Sequence, residues 1–352
     1  MRYHQDSGIG LFSADERLSQ LTQLGDPLLA LSRHIDFEFF RATLETTLYA
    51  DYEADKGGRP PFDPVMMFKI LVIQRLYNLS DDATEFQIKD RLSFMRFLGL
   101  DFSGRVPDAK TIWLFREQLQ KHGLVQQLFD HMNADLERRN IITHSGKIVD
   151  ASFVEAPRGR NTREQNKVIK AGEIPSEWAD QPHRLCQKDT DARWAKKGAE
   201  THFGYKDHVI CDRRSKLVVG YQVTDASVHD SVVLDSLLID GAVTGETIYA
   251  DAAYRSTQIE NGLAGRQMKS RIHFKAARNR PLSARQKKSN TARSRHRARV
   301  EHIFGFIENS MRGSRVRGRG LARNTAVIGL MNLTYNLCRV MQLKRELRPC
   351  PA

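Results

Sequence analysis

The chain has 352 residues, of which 40% are hydrophobic, and its 55 Lys+Arg against 42 Asp+Glu give a formal net charge of +13. This length and hydrophobic content allow a substantial core and suggest two domains. No apolar run is long enough to span a bilayer, and residues 1–6 lack the apolar stretch of a secretory signal, so we expect a cytoplasmic protein without a membrane partner. The 4 cysteines are scattered without a Cys-x-x-Cys pair, a pattern that supports neither a disulfide framework nor a structural zinc site.

The first part of the chain has the apolar spacing of helices. Ser13 is placed to cap a helix, and residues 37–48 carry apolar side chains three and four positions apart. Asp63 and Pro64 supply an N-cap and a first-turn proline for residues 65–77, which are apolar on nearly all sides. This run predicts the central helix of an N-terminal bundle.

Further capped segments follow. Ser80 caps the next predicted helix, an apolar segment occupies residues 94–98, and a helix over residues 107–119 begins at Asp108 or Thr111. Helix, short turn and helix is the order found in helix-turn-helix DNA readers, whose second helix lies in the major groove. Plain helical packing explains the same pattern, so both interpretations stay open.

From residue 141 the pattern changes to that of strands. Residues 147–154, 203–211 and 216–223 predict strands, and the last two form an antiparallel hairpin. Residues 157–198 are polar and mixed in charge, which predicts an excursion from the sheet. Their basic side chains either contact DNA or belong to a mobile surface loop.

The remaining elements alternate between helix and strand. Residues 231–239 predict a helix that Asp230 caps, and a strand follows at residues 247–251. A last strand is expected near residues 272–274, before a final helix. The C-terminal stretch 324–341 predicts an amphipathic helix that packs on the core.

Three acidic residues are isolated by their local patterns. Asp150 ends a strand-like run, Asp251 ends another, and Glu301 lies inside an arginine-dense segment. Carboxylates that converge without a cation repel one another, and one of them is forced to hold a proton. Oxygen-bound hard cations at such a cluster can activate water and neutralise the leaving oxygen of a phosphodiester. The trio therefore predicts a divalent-metal site that cuts nucleic acid.

The distribution of basic residues agrees with a nucleic-acid substrate. Residues 266–323 hold roughly eighteen Lys and Arg but only the acids Glu301 and Glu308. Such a one-sided run is typical of a face that contacts phosphates. A solvated basic loop is the alternative, which the apolar periodicity after Arg297 disfavours.

Short motifs in a fixed order support a family resemblance. They are Ile148-Val-Asp-Ala-Ser152, Gly204-Tyr-Lys-Asp-His208, Thr224-Asp-Ala-Ser-Val-His-Asp230, Tyr249-Ala-Asp-Ala-Ala-Tyr-Arg255 and Arg297-Ala-Arg-Val-Glu-His-Ile-Phe-Gly305, preceded by Arg59-Pro-Pro-Phe-Asp-Pro-Val65 and Asp108-Ala-Lys-Thr-Ile112. With these motifs, which cover most of its length, the chain resembles the bacterial insertion-sequence DDE transposases of the group named after insertion sequence five.

The resemblance implies an α+β chain. Residues 1–139 would form a helical domain that binds the DNA ends, and residues 140–323 a ribonuclease-H-like catalytic domain with a mixed sheet, flanking helices and a polar insertion at about 157–198. Residues 324–352 would form a C-terminal helix and tail. The implied activity is binding of terminal inverted repeats in double-stranded DNA, metal-dependent cleavage, and strand transfer to target DNA. Since two ends must be joined, a homodimer or larger oligomer is expected.

The resemblance also assigns residues. Asp150, Asp251 and Glu301 become the catalytic and metal-binding carboxylates, with Mg²⁺ as the ion and Mn²⁺ able to substitute. Arg297, one helical turn before Glu301, would contact phosphate. Further DNA contacts are expected from nearby basic side chains: Arg255, Arg293, Arg295, Lys110 and Arg116.

Two departures and two alternatives accompany this assignment. The signature of a related group has tyrosine and lysine where this chain has Ser294 and Glu308, which leaves the role of Glu308 undefined. A metal-independent tyrosine recombinase would use Tyr335 after the His-x-x-Arg at residues 296–299. A catalytically inactive DNA-binding protein derived from a transposase is the other alternative. Glu155 competes with Asp150 as the first acid, and the motif favours Asp150. Either His229 and Asp230 approach the metal site or, as we favour, Asp230 caps the following helix.

Overall fold

The computed structural model describes residues 13–50, 60–278 and 280–346. The chain divides into two compact units. The helical unit comprises the described parts of Met1–Gln74 and Val340–Ala352 together with Leu79–Phe115, and the sheet unit comprises Arg75–Asn78 and Arg116–Arg339. Within the described ranges, every helix is too short or too polar to cross a membrane.

The helices before the first strand are α1 (Ser13–Gln23), α2 (Pro27–His34), α3 (Arg41–Leu48), α4 (Pro64–Leu76), α5 (Asp81–Asp90), α6 (Leu92–Leu98), α7 (Ala109–Lys121) and α8 (Leu124–Arg138), with a 3₁₀ turn at Phe37–Phe40. Three of the predicted caps are confirmed: Asp63 accepts from the Met66 amide at 2.8 Å, Ser80 from the Ala83 amide at 3.2 Å, and Asp108 from the Thr111 amide at 2.7 Å. Each satisfies an amide that the first helical turn leaves without a partner.

The core of the helical unit forms around α4, as the apolar run predicted. Phe68 of α4 is fully buried, and its ring lies 5.0 Å from that of Phe40 and 6.2 Å from that of Phe37. Aromatic pairs at these separations add stabilisation beyond the burial of their area. The 3₁₀ turn that carries both partners is thereby fixed against α4.

The sheet unit contains a mixed six-stranded sheet. Its strands are β1 (Lys147–Glu155), β2 (Arg193–Lys197), β3 (Glu200–Asp212), β4 (Val218–Asp225), β5 (Thr247–Tyr249) and β6 (Lys269–Ser270). The order is β2-β3-β1-β5-β6, and β4 also pairs with β3. β1 is antiparallel to β3 and parallel to β5, and the predicted β3–β4 hairpin is confirmed. The chain is therefore α+β with a mixed sheet, as expected.

The segment predicted as an excursion is folded in this unit. It contains α9 (Arg163–Lys170), α10 (Ser176–Ala179), α11 (Pro182–Leu185) and β2. The segment is not an irregular loop, since Thr162 and Gln165 form a capping box on α9 and the Trp178 side chain is fully buried, although most residues of the segment are exposed. The strand β2 was not predicted because its sequence, Arg-Trp-Ala-Lys-Lys, is mostly charged.

Two other local predictions are corrected. The last strand is β6, which lies before the predicted residues 272–274, although Ile272 is buried. Asp230 does not cap a helix: His229 accepts from the Ser231 amide instead, at a 3₁₀ turn that precedes α12 (Leu234–Gly241). The Asp230 carboxylate is engaged by Lys206, so a partner on a distant strand replaces the local cap.

The remaining helices are α13 (Thr257–Gly265), α14 (Ala284–Gly305) and α15 (Leu321–Glu346), with a π-helical turn at Phe306–Ser310. α15 is not amphipathic as predicted, because nearly all of its side chains between Asn324 and Arg339 are buried, polar ones included. Asn336 bonds to both the amide and the carbonyl of Val218 at 2.9 and 2.8 Å, which satisfies the buried edge of β4.

Candidate active site

Asp150 lies inside β1 rather than at its end. On one side it faces Val209 of β3. On the other side β5 pairs only with Lys147 and Ile148, so Asp150 emerges where the neighbouring strand has ended. Because β5 ends beside the longer β1, it leaves the edge of β1 uncovered at Asp150, and the site lies at this uncovered edge.

Asp251 reaches the same uncovered edge from β5. It follows the strand by two residues and begins the 3₁₀ turn Ala252–Tyr254, where its Oδ1 accepts from the Ala253 amide at 2.7 Å. The cap fixes one carboxylate oxygen on the backbone. The second oxygen, Oδ2, is directed toward Arg297, at 4.0 Å from Nη1.

The third carboxylate comes from α14, which packs on β1 and β5. A capping box between Ser283 and Gln286 starts this helix. Arg297 and Glu301 are four residues apart and therefore share a face, with Nη2 and Oε1 3.4 Å apart.

A single guanidinium joins the three acids. Arg297 Nη1 lies 3.2 Å from Asp150 Oδ2 and 4.0 Å from Asp251 Oδ2, while its Nη2 contacts Glu301. The side-chain exposure rises from 15% at Asp150 through 37% at Asp251 to 60% at Glu301. The structure thus brings together the three predicted acids and the predicted arginine, with Asp150 deepest.

Burial dominates the electrostatics of Asp150. Together with the smaller effect of the Asp251 and Glu301 charges, it raises the pKa of this carboxyl from 3.8 to about 6, although Arg297 and the Ala151 amide oppose the change. Desolvation penalises the charged form of an acid. The raised pKa therefore shows that nearby positive charge and hydrogen bonds do not fully offset the cost of burying the ionised Asp150 carboxylate. A stronger cation than one shared guanidinium would offset that cost.

The donor set suits a hard divalent ion, since all three side chains are carboxylates that already surround one positive charge. Among the residues that the structure describes, no three His, Cys, Asp or Glu side chains approach closely enough to hold an ion as they stand. Arg297 occupies the space between the acids, so binding of an ion there requires its guanidinium to move.

A second cluster lies beside the acids. Lys206 Nζ donates to Asp230 Oδ1 at 2.8 Å and to the Val228 carbonyl at 2.7 Å. Burial lowers the pKa of the neighbouring His208 to about 4, which keeps this imidazole neutral. Our sequence reasoning gave no role to Lys206 or His208, although both belong to the quoted motif 204–208.

Tyr254 closes the site from below. Its side chain is fully buried, and its hydroxyl has no hydrogen-bond partner within the described ranges. Burial raises the pKa of this phenol well above 10.0, and the nearby Asp230, Asp150 and Asp251 carboxylates add to the effect. The hydroxyl is therefore neutral and lies close enough to the acid cluster to feel its charge.

The predicted DNA-contacting arginines are divided between the surface and the interior. Arg295 is exposed on α14. Arg293 is only 9% exposed, bonds to the Ile272 carbonyl and stacks on Phe274 at 4.3 Å, so its side chain is not available to DNA. Arg255 also stacks on Phe274, at 4.4 Å, and donates to Ile272.

On α7, Lys110 is exposed and Arg116 is partly exposed. Glu155 is paired with Arg315 at 3.2 Å and lies five residues from Asp150 along β1, outside the acid cluster. Glu308 is exposed in the π-helical turn, so it does not continue the regular face of Glu301. Tyr335 is buried and donates to the Lys216 carbonyl at 2.8 Å.

Residues 142–337, more than half of the chain, match the family described as Transposase DDE domain. The chain belongs to the DDE transposase family. Residues 16–118 match a second family, described as Transposase domain (DUF772). Membership in the DDE family, together with the burial of Tyr335, contradicts the tyrosine-recombinase alternative.

Three solved structures of transposases are similar to this chain at low sequence identity. The cryo-EM structure of the piggyBac transposase synaptic complex with hairpin DNA is 12% identical, with a TM-score of 0.44 over 95% of this chain and 78% of that one. The Mos1 strand transfer complex is 11% identical, with a TM-score of 0.20 over 76% and 84% of the two chains. A pre-cleavage Mos1 transpososome is 10% identical, with a TM-score of 0.21 over 77% and 95%. These scores are too low to carry a structural argument.

Proposed function

We propose that this DDE transposase binds the terminal inverted repeats of an insertion sequence of the group named after insertion sequence five and catalyses metal-dependent cleavage and strand transfer. The observation that carries the proposal is the convergence of Asp150, Asp251 and Glu301 on one guanidinium. Three carboxylates from a strand, a strand end and a helix share a cation within 4.0 Å. An arginine with a purely structural role needs only one or two carboxylate partners. A third carboxylate adds repulsion among the acids, which indicates that their convergence serves another purpose.

Each residue of the cluster has a distinct part in the proposed reaction. Asp150, Asp251 and Glu301 would hold Mg²⁺, which Mn²⁺ can replace, and the bound ion would supply activation of water and charge neutralisation at the phosphodiester. The backbone cap already fixes the orientation of Asp251. Binding of an ion to its free oxygen would therefore cost little further side-chain freedom. Asp150 is able to hold a proton near pH 6 until the ion replaces it.

Arg297 holds the acids together before DNA and metal arrive. Its guanidinium is 24% exposed, so it can turn from the carboxylates to a phosphate oxygen while it remains on the same helix. Arginine binds phosphate and carboxylate with the same planar geometry. Cleavage at the end of the element would free a 3′-hydroxyl. This hydroxyl would then attack the target DNA at the same three carboxylates.

The DNA interface would include the exposed basic side chains of α14 and α7. On α14 these are Arg285, Lys287, Lys288 and Arg295, and on α7 they are Lys110 and the partly exposed Arg116. We assign end binding to residues 1–139, with α5, α6 and α7 as the helix-turn-helix candidate, and catalysis to a ribonuclease-H-like domain at residues 140–323. Pairing of two DNA ends would involve a dimer or larger assembly in the bacterial cytoplasm.

The test is cleavage and strand transfer on a duplex that carries the element's terminal repeat, in Mg²⁺ or in EDTA, with the wild type and Glu301→Gln. Glu301 is 60% exposed, so this substitution should leave the fold intact. We expect the wild-type product to require metal and the variant to lose roughly a thousandfold in rate, because a catalytic ion contributes several kcal/mol.

DNA binding measured in parallel separates the alternatives. Retained binding with lost cleavage supports the three-carboxylate mechanism. A product that survives EDTA, or equal rates for both proteins, would contradict it. Binding without cleavage by the wild type would favour an inactive transposase-derived DNA-binding protein.

A further inference from the structure

Trp194 is an exposed aromatic residue on the outermost strand of the sheet. It is the second residue of β2, and 49% of the residue is accessible to solvent. Its ring lies 5.1 Å from that of Phe203, the residue directly opposite it on β3, at an interplanar angle of 44°. Phe203 is buried and supports the indole from the sheet side. The Trp194 ring is therefore held in place while half of the residue faces solvent.

A cation lies on this indole. The guanidinium of Arg158 is 5.2 Å from the Trp194 ring centroid, within the range of a cation–π contact. Lys196, two residues along β2, is exposed on the same face of the strand, because side chains alternate with a period of two. Scattered exposed apolar residues need no explanation, but an exposed aromatic ring with one cation on it and another on the same strand face is typical of surfaces that bind single-stranded nucleic acid.

The same arginine lines a cleft of about 470 Å³. Arg158, Arg315 and Arg317 contribute three positive charges, and Glu155 contributes the one negative charge, a net charge of +2. Glu155 lies 3.2 Å from Arg315 and 3.9 Å from Arg158, so one carboxylate is shared by two guanidiniums. The positive charges of the cleft therefore exceed the negative one, and an anion would bind there favourably.

The walls of this cleft are fixed by backbone and side-chain bonds. Arg317 donates to the Asn78 side chain at 2.5 Å and to its carbonyl at 2.8 Å. The Glu155 amide donates to the Ser314 carbonyl at 2.8 Å, and the Val316 amide donates to the Glu155 carbonyl at 2.9 Å. Arg317, which these bonds hold in place, loses less freedom on binding than the exposed side chains of Arg158 and Arg315 do.

We propose that the Trp194 platform, which consists of Trp194, Arg158 and the adjoining arginine cleft, binds an unpaired nucleotide of a DNA strand. The cleft would hold phosphate, and the indole would stack on the base. Every base has a π-face, so stacking on tryptophan accepts any sequence. The proposal rests on the proposed DNA transposase function and specifies that part of the substrate is not base-paired.

The sheet register gives the distance of this platform from the acids. Trp194 is opposite Phe203, Gly204 is opposite Glu155, and Glu155 is five residues from Asp150. Six residues along the strands correspond to about 20 Å, which is the length of about six base pairs of B-DNA. The nucleotide on Trp194 is therefore not the one that reacts. It belongs to DNA that is distorted or open at one side of the cleavage point.

The experiment measures equilibrium binding of the full-length protein by fluorescence anisotropy in EDTA, where no cleavage occurs. The probes are a blunt terminal-repeat duplex and the same duplex with a short unpaired extension on either strand. We expect the wild type to prefer an extended duplex, and Trp194→Ala to lose roughly 5- to 150-fold for that probe, the effect of removing one base–aromatic stack. Trp194→Phe should retain most of the preference.

Ile239→Ala is the control. Ile239 is an exposed apolar residue, at 71%, that lies on α12 and outside both the cleft and the helices to which DNA contacts are assigned. We expect it to leave the ratio of the two affinities unchanged. Arg158→Ala should weaken both probes and lower the slope of log affinity against log salt by about 1, because one phosphate contact is lost.

Several outcomes would overturn the proposal. Equal affinity of the wild type for both probes, with no effect of Trp194→Ala, would contradict it while leaving the transposase function intact. Failure of the wild type to bind either probe would contradict both. If Trp194→Ala changes the oligomeric state, measured by light scattering, and leaves DNA affinity unaltered, the face joins copies of the chain and does not bind DNA.

Discussion

Replacement of Asp150 by Asn should stabilise the fold at neutral pH in the absence of metal, although it removes a carboxylate that the proposed reaction requires. The Asp150 side chain is only 15% exposed, and its burial raises the pKa from 3.8 to about 6. The folded state therefore binds a proton more tightly than the unfolded chain. Stability from this group is greatest below pH 3.8 and is lost as the pH rises through about 6.

The size of the effect follows from the two pKa values. The pKa differs by about 2 units between the folded and unfolded states. Relative to low pH, the free energy of unfolding therefore falls by about 0.5 kcal/mol at pH 4, about 1.5 kcal/mol at pH 5 and about 3 kcal/mol above the folded pKa. The attraction of Arg297 is already included, because it opposes the rise in pKa. Since Asn resembles the neutral acid, Asp150→Asn should recover most of this free energy at pH 7.

The assay is urea denaturation of both proteins in EDTA at pH 4, 5 and 7.5, followed by tryptophan fluorescence. The midpoint difference should grow with pH, and Mg²⁺ should stabilise the wild type more than the variant by mass action. Glu301→Gln is the control, and its exposed position should limit its effect to about 0.5 kcal/mol. A variant less stable than the wild type at pH 7.5, or a difference independent of pH, would refute the reasoning.

Three further substitutions test other parts of the structure. Arg297→Gln should raise the affinity for Mg²⁺, measured by calorimetry, roughly tenfold or more, because a competing cation is removed; Arg297→Lys should not, and an unchanged affinity in Arg297→Gln would contradict the competition. Tyr335→Phe should retain cleavage and lose about 1 kcal/mol of stability; loss of cleavage in a folded variant would restore the tyrosine nucleophile. Gly204→Ala should cost roughly 3 kcal/mol in denaturation, since its φ is +149° and the new Cβ would lie 2.6 Å from the Ala156 amide nitrogen. Gly265→Ala, where nothing lies within 4 Å, should differ little from wild type, and equal effects of both would contradict this account.

Sequence patterns were sufficient where the controlling interaction is local. The caps at Asp63 and Ser80 follow from a side chain and an amide three residues apart. The buried run of α4 and the β3–β4 hairpin follow from apolar content and a short turn. The family motifs also placed Asp150, Asp251 and Glu301 on elements that meet, because their order along the chain fits the observed sheet.

Other features depend on partners that are distant in the chain. Asp230 was predicted to cap a helix, but Lys206 on β3 engages it. Arg293 follows the same arginine-rich pattern as Arg295, yet it is buried on Phe274. The polar residues of α15 suggested an exposed face, whereas Asn336 serves the edge of β4. Each outcome was decided by packing against an element that no local window contains.

The sequence by itself predicted the α+β class of the fold, its main helices and strands, and three acids that the structure brings to one guanidinium. Only the tertiary structure decided that Arg297 lies between all three carboxylates and that Asp150 is the most buried of them. It also placed Trp194 beside Arg158, which follows β1 and lines a cleft with two arginines of the segment that follows α14. The physical reason is that backbone propensity and capping act within a few residues, whereas desolvation and charge pairing depend on which surfaces the folded chain brings together.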